Sequence, residues 1–131
     1  MPIELTLLGS ASLLILIQIV VAAAPKTFSY GPSYSLGTQD EQKPPPTVFA
    51  NRALRASRNG LETFPLFAAA VLGVVLAGKT GGIAEVGAWM YLIGRLIYWP
   101  AYVFAVPYLR SIIWTTAIVG IVMIVLRMLF G

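Results

Sequence analysis

The sequence predicts an all-α integral membrane protein, a bundle of four transmembrane helices. Three observations point there. The chain of 131 residues is 58% hydrophobic and 11% charged, against roughly 25% charge in soluble domains. Its mean hydropathy is +0.82. Its apolar residues gather into four runs, each long enough to cross a hydrocarbon core of about 30 Å. One domain, residues 1–131, is the natural count at this length.

The first span is expected over Ile3 to Ala24, with Thr6, Ser10, Ser12 and Gln18 but no charge after Glu4. Ala22-Ala23-Ala24 looks like a signal-peptidase site. The apolar run is too long for a leader, however, and Glu4 stands where a leader carries Lys or Arg, so a retained helix is expected. Residues 25–47 read as a proline-rich loop on the cytoplasmic side. Pro25, Pro32, Pro44, Pro45 and Pro46 each fix φ and remove a donor, and Asp40, Glu41 and Lys43 keep the segment wet. A plain tether between helices is the preferred reading of this segment over a binding loop.

The second span is expected over residues 48–78. At 1.5 Å per residue such a helix is about 46 Å long, more than the membrane core. Counted back from Gly78, Glu62 lies about 24 Å in, and Arg55 about 35 Å, among head groups or water. Ala53, Ala56 and Gly60 form a small face suited to close packing, and Pro65 is a candidate kink. A short polar turn, Lys79 to Gly82, leads to a third span over residues 83–106. That span holds Arg95 near its middle, with Tyr98 and Tyr102 on the same face, and Pro100 as a second candidate bend. After Pro107 and Tyr108, the fourth span over residues 109–130 opens on Arg110 and is almost pure Ile, Val, Leu and Met.

Composition excludes several chemistries. Cysteine and histidine are absent, so there is no disulfide, no thiol nucleophile and no histidine-based metal site or general base. No metal is expected. The net charge of +4 sits mostly at helix ends and reads as topology and anion binding, not as a nucleic-acid footprint. Four spans put both termini on one side. Lys26, Lys43, Arg52, Arg55, Arg58 and Arg110 crowd the opposite face, against Lys79 and Arg127 on the terminal face. The positive-inside rule then places both termini in the periplasm and the arginine cluster in the cytoplasm.

This topology gathers Arg52, Arg55, Arg58, Asn59 and Glu62 with Arg95, Tyr98, Tyr102 and Arg110 at one membrane face. Arg55, Asn59 and Glu62 fall at i, i+4 and i+7, one helical stripe. Charges within lipid are expensive and generally functional. Glu62 and Arg95 share a depth and are expected to form a buried ion pair, since a lone buried carboxylate is costly. The cluster describes a pocket for an anionic ligand. Arginine forks suit carboxylates, Asn59 offers a donor and an acceptor, and Glu62 suits an ammonium. Arg110 is placed to lower the pKa of a bound thiol, and Tyr102 to hydrogen-bond the same sulfur. The plainer alternatives stand beside this: Arg52, Arg58 and Arg110 as interfacial anchors, Glu62 with Arg95 as structural glue, and Tyr98, Trp99, Tyr102 and Trp114 as an aromatic belt.

Two motifs carry a resemblance. Arg55-x-x-x-Asn59-x-x-Glu62 runs on into Thr63-Phe64-Pro65-Leu66-Phe67, and Arg95-x-x-Tyr98-x-x-x-Tyr102 is followed by Arg110-Ser111. At these residues the chain resembles the MAPEG family, the membrane-associated proteins in eicosanoid and glutathione metabolism. The four-span layout agrees over nearly the whole chain. The resemblance implies a homotrimer with glutathione, as co-substrate, held between neighbours near the cytoplasmic face. It implies Arg55, Arg58, Asn59, Glu62, Tyr98, Tyr102 and Ser111 as glutathione-binding residues. Arg110 would stabilise the thiolate, with Tyr102 as its catalytic partner. It further implies a transferase or peroxidase acting on lipophilic electrophiles that arrive through the membrane lipid. The step from Tyr102 to Arg110 is one residue longer than in the eicosanoid-forming members, Trp114 replaces a tyrosine, and helix one offers only Gln18 where an arginine is found. These departures point away from eicosanoid synthesis. The lack of eukaryotic targeting and retention signals points to a bacterial inner-membrane member. A non-catalytic protein of the same fold, serving as accessory subunit, scaffold or lipid binder, remains the competing reading. A small multidrug transporter fits in size, but it needs a carboxylate deep in helix one, where this chain has Glu4 at the rim.

Overall fold

A computed structural model describes residues 1–31, 36–37, 47–104 and 108–131. Four helices account for nearly all of them: α1 (Ile3–Tyr30), α2 (Val48–Leu76), α3 (Ile83–Val103) and α4 (Leu109–Phe130). α1, α2 and α4 are long and apolar enough to cross a membrane. α3, at 21 residues, spans about 32 Å by the same rise, although it carries Glu85 and Arg95.

The helices differ from the expected spans at their ends. α1 does not stop at Ala24 but runs through Pro25 to Tyr30, where Gly31 turns the chain at φ 90° and donates to the Thr27 carbonyl at 2.9 Å. A proline deletes one donor inside a helix, and a long apolar helix tolerates that loss. Pro65 and Pro100 likewise lie inside α2 and α3. α2 starts where the Thr47 hydroxyl accepts from the Ala50 N–H at 3.0 Å, an N-cap. It closes with a Schellman motif: Gly78, at φ 70°, donates to Val75 and Lys79 to Val74. α3 ends at Val103 instead of Val106. The remaining loop prolines, at 32, 44–46 and 107, lie outside the described residues.

α1 buries Glu4, Leu7, Ala11, Ile15, Gln18 and Ala22, a single stripe at helical spacing. That stripe packs on α2 and α3, while α4 packs on α3 and α2. α2 and α3 therefore form the middle of the bundle. The inward residues are small: Ala50, Ala53, Ala56, Gly60 and Ala70 on α2, and Ala84, Gly87, Ala88 and Gly94 on α3. The large aliphatic residues, such as Leu13, Leu16, Val20, Ile112, Val122 and Leu129, face outward. Between lipid-facing helices there is no hydrophobic drive to associate, so close packing of small residues must hold them. The α3–α4 seam carries this furthest. A Cβ on Gly87 would run into the Gly120 carbonyl, and one on Gly120 into that of Gly87.

At the terminal end of the bundle the core is dense. Phe67 stacks on Tyr91 with centroids 4.0 Å apart and planes 12° from parallel. The Tyr91 hydroxyl meets Thr63 Oγ1 at 3.0 Å. A polar knot closes this end. Glu4 lies at the rim, in the first turn of α1, but it is 1% exposed, and its Oε2 accepts from the Gly81 N–H at 2.7 Å. Arg127 Nε donates to the Lys79 carbonyl at 3.0 Å, and Lys79 Nζ to that of Met128 at 3.0 Å. The turn between α2 and α3 is thus tied to both terminal helices.

Gly120→Leu is expected to push α4 off α3 and lower the melting temperature in detergent, an overpacking cost of about 1–3 kcal/mol or more. Gly9→Leu is the control, because a Cβ there meets nothing within 4 Å. Equal circular-dichroism melts for the two variants would remove the glycine seam from the account.

Candidate functional site

The opposite end of the bundle is built from the first four turns of α2, the last two of α3 and the start of α4. Ala53 and Ala56 are fully buried, and they set the rotation of α2. With those small residues turned inward, Arg55, Arg58 and Glu62 emerge on the open side, and Asn59 lies half-buried between the two faces. Arg52 stands apart: its Nη1 donates to the Val103 carbonyl at 3.4 Å, so it caps the end of α3.

Two cavities lie side by side here. One, of about 210 Å³, is lined by Arg55, Arg58, Asn59, Glu62, Tyr98 and Tyr102. The other, of about 370 Å³, is lined by Asn59, Tyr98, Arg110, Ser111, Trp114 and Thr115. Asn59 and Tyr98 belong to both and form the ridge between them. The structure therefore gathers Arg55, Arg58, Asn59, Glu62, Tyr98, Tyr102, Arg110 and Ser111 around one composite hollow. Trp114 and Thr115 join the wall of the second cavity. The sequence places Trp114 equally well in an aromatic belt, and only the turn of α4 puts it here.

The expected pairing of Glu62 with Arg95 is not made. Arg95 is 1% exposed. Its Nη1 donates to Asn59 Oδ1 at 2.7 Å and its Nη2 to the Ala56 carbonyl at 3.3 Å. Equal depth does not ensure contact. Three residues of helix turn the chain by about 300°, so Asn59 faces α3 where Glu62 is swung toward the open side. Gly60 makes the room, since a Cβ there would lie 2.9 Å from Arg95 Nη2. A glycine opposite a mid-span arginine was the sequence signal for this contact.

The aromatic residues continue the arrangement. The Arg95 guanidinium lies 4.3 Å from the Tyr98 ring centroid, and that of Arg110 lies 5.1 Å from the Tyr102 centroid. The two tyrosine rings are 5.8 Å apart. Each cation rests on a ring face, a favourable contact when water is excluded. Gln18, the polar residue deep in α1, is buried, its Oε1 has no partner among the described residues, and it does not line either cavity.

The sequence profile of the MAPEG family matches residues 3–130. The chain belongs to the MAPEG family. No curated protein and no solved structure matches it. The matched stretch of this MAPEG chain contains every residue that lines the two cavities.

Chemically, among the described residues the hollow sets three guanidiniums, those of Arg55, Arg58 and Arg110, against the single carboxylate of Glu62. Arginine donates in a fixed fork and accepts nothing, so the lining is chemically suited to an acceptor-rich anion.

Because Arg52 caps α3 and lines neither cavity, Arg52→Met is expected to lower stability by roughly 0.5–1.5 kcal/mol. Ligand affinity should stay within about twofold, since no direct contact is lost. A calorimetric titration showing a tenfold loss would place Arg52 in the site.

Proposed function

We propose that this protein is a glutathione-dependent membrane transferase or peroxidase that acts on lipophilic electrophiles. The observation that carries the reading is the pair of adjoining cavities that share Asn59 and Tyr98, cationic on balance and holding one carboxylate. Glutathione matches that pattern with two carboxylates, one ammonium and one thiol. Arg55 and Arg58 suit its carboxylates in bidentate geometry, and Glu62 suits its ammonium. Arg110, with Ser111 beside it and Tyr102 beneath its guanidinium, suits the sulfur.

A cation close to a thiol lowers its pKa, and the thiolate is the reactive form. Arg110 and Tyr102 are the proposed catalytic residues. In transfer, a sulfur lone pair forms the new bond to the electrophilic carbon and the leaving group departs with its electron pair. In peroxide reduction, sulfur attacks the peroxide oxygen and alcohol leaves. A second glutathione then displaces water and forms the disulfide. No metal enters either route.

The assembly we propose is a homotrimer. In the single chain Arg55, Arg58, Glu62 and Arg110 are exposed, and so are Leu61, Leu66, Leu72 and Leu76 along α2. A carboxylate facing lipid is costly. A neighbouring copy against α2 would cover that face and wall the hollow. The membrane we propose is a bacterial inner membrane, with the hollow cytoplasmic and both termini periplasmic. Among the described residues, Arg52, Arg55, Arg58 and Arg110 lie at the hollow end and only Lys79 and Arg127 at the other, in accord with the positive-inside rule.

Mixing glutathione with purified protein is expected to raise the ultraviolet absorbance of the thiolate. Arg110→Ala should abolish that signal and slow conjugation of a chloronitroaromatic by roughly 100-fold, the loss typical of removing one stabilising donor. A folded protein without thiolate signal or heat of binding would displace this reading in favour of a non-catalytic scaffold. Light scattering of the detergent complex tests the trimer, and a monomeric mass would refute it.

A further inference from the structure

Asn59 stands on the ridge between the two cavities, and its amide offers two opposite faces to whatever lies there. An asparagine side chain is ambivalent: rotated by half a turn, it exchanges an acceptor for two donors at little cost in shape. Asn59 has no such freedom. Arg95 Nη1 donates to it at 2.7 Å, and a guanidinium has no lone pair to offer in return. Only Oδ1 can face Arg95. The Nδ2 group is left on the other side and has no hydrogen bond among the described residues.

Arg95 itself is held firmly. Its second nitrogen is tied to the Ala56 carbonyl on the same helix as Asn59, one turn earlier. Its charge lies over the Tyr98 ring, and Gly60 leaves the space in which it sits. Its acceptors are neutral, so the bond to Asn59 is charge-assisted on the donor side. Such a bond polarises the amide and strengthens Nδ2 as a donor to a third group.

We propose that Arg95 is a positioning residue that locks the Asn59 amide with its Nδ2 hydrogens toward the junction of the two cavities, where they bind a carbonyl or carboxylate oxygen of the ligand. The inference rests on the glutathione reading above and deepens it. At the mid-point of the hollow the Asn59 amide presents donors alone, and it takes an acceptor oxygen from the central part of an extended peptide-like ligand. A mid-span arginine that merely ties α2 to α3 would need Asn59 only as an acceptor.

Asn59→Asp separates the two roles. Aspartate keeps the acceptor for Arg95 and turns the contact into an ion pair, so the full-length protein in detergent should melt at or above the wild-type temperature. It lacks the Nδ2 donor, so glutathione affinity by calorimetry should fall by roughly tenfold or more. The loss should persist at high salt, because a missing donor is not screened whereas charge repulsion at an open site is. Arg95→Lys, which keeps one donor to Asn59, should retain more affinity than Arg95→Met. Wild-type affinity in Asn59→Asp, or a loss that disappears in salt, overturns the inference while the glutathione reading stands. A wild-type protein that binds no glutathione overturns both.

Discussion

A guanidinium buried between helices sets the terms for this bundle. Arg95 cannot shed its proton, and removing a charge from water costs several kcal/mol unless its hydrogen bonds are replaced. The surrounding residues answer most of its needs, its Nε alone being buried without a hydrogen-bond partner among the described residues. Gly60 leaves room, Asn59 and the Ala56 carbonyl accept, and the Tyr98 ring covers a face. These partners come from α2 and from α3 itself, so satisfying Arg95 fixes both the rotation and the separation of the two central helices. The rotation then decides which residues of α2 open to the outside: Arg55, Arg58 and Glu62 do, and Ala53, Ala56 and Ser57 do not. The hollow is in this sense a consequence of how one buried charge is accommodated.

The two ends of the molecule are built on opposite principles. At the terminal end, Phe67, Tyr91, Val71 and Val74 fill the interior, and Glu4, Lys79 and Arg127 direct their polar atoms to backbone groups of the α2–α3 turn and of α4. At the other end, among the described residues, three arginines and a carboxylate line open space, and Arg110 rests on the Tyr102 ring. A tight end that holds four helices in register allows the loose end to keep charges unpaired. The Schellman closure of α2 and the glycine seam between α3 and α4 belong to the tight end, remote from the hollow.

Much of this was legible in the sequence, for physical reasons that also mark where legibility stopped. Four apolar runs separated by polar turns report membrane helices because lipid length and backbone hydrogen bonding permit little else. The arginine stripe of α2 and the family motif were visible because helical spacing alone brings Arg55, Asn59 and Glu62 to one side. Helix ends were less legible. Pro25 suggested a break, but an apolar helix absorbs the loss of one donor, and α1 continues to Tyr30. Pairing across helices was least legible. Glu62 and Arg95 share a depth, but depth is one coordinate and rotation is another, and rotation is settled by where Gly60 leaves space. The burial of Glu4 at the rim was illegible for a related reason: its partner is a backbone N–H of Gly81, and backbone partners leave no mark in side-chain chemistry.

The single chain also presents a contradiction that its own contacts do not resolve. Glu62 lies within the apolar stretch of α2 and is exposed, flanked by exposed Leu61 and Leu66. Solvated by lipid, such a carboxylate is expensive; solvated by water, the neighbouring leucines lose their reason to be apolar. Both halves of the face are satisfied together when another protein surface covers the leucines and leaves a polar recess at the carboxylate. The same cover would close the open side of the hollow, so a ligand bound there would reach water only toward the arginine end and lipid only between helices. On the proposed reading, that partition suits a reaction whose one substrate is a charged peptide and whose other is dissolved in the bilayer. The two meet where the apolar run of α2 gives way to its arginines.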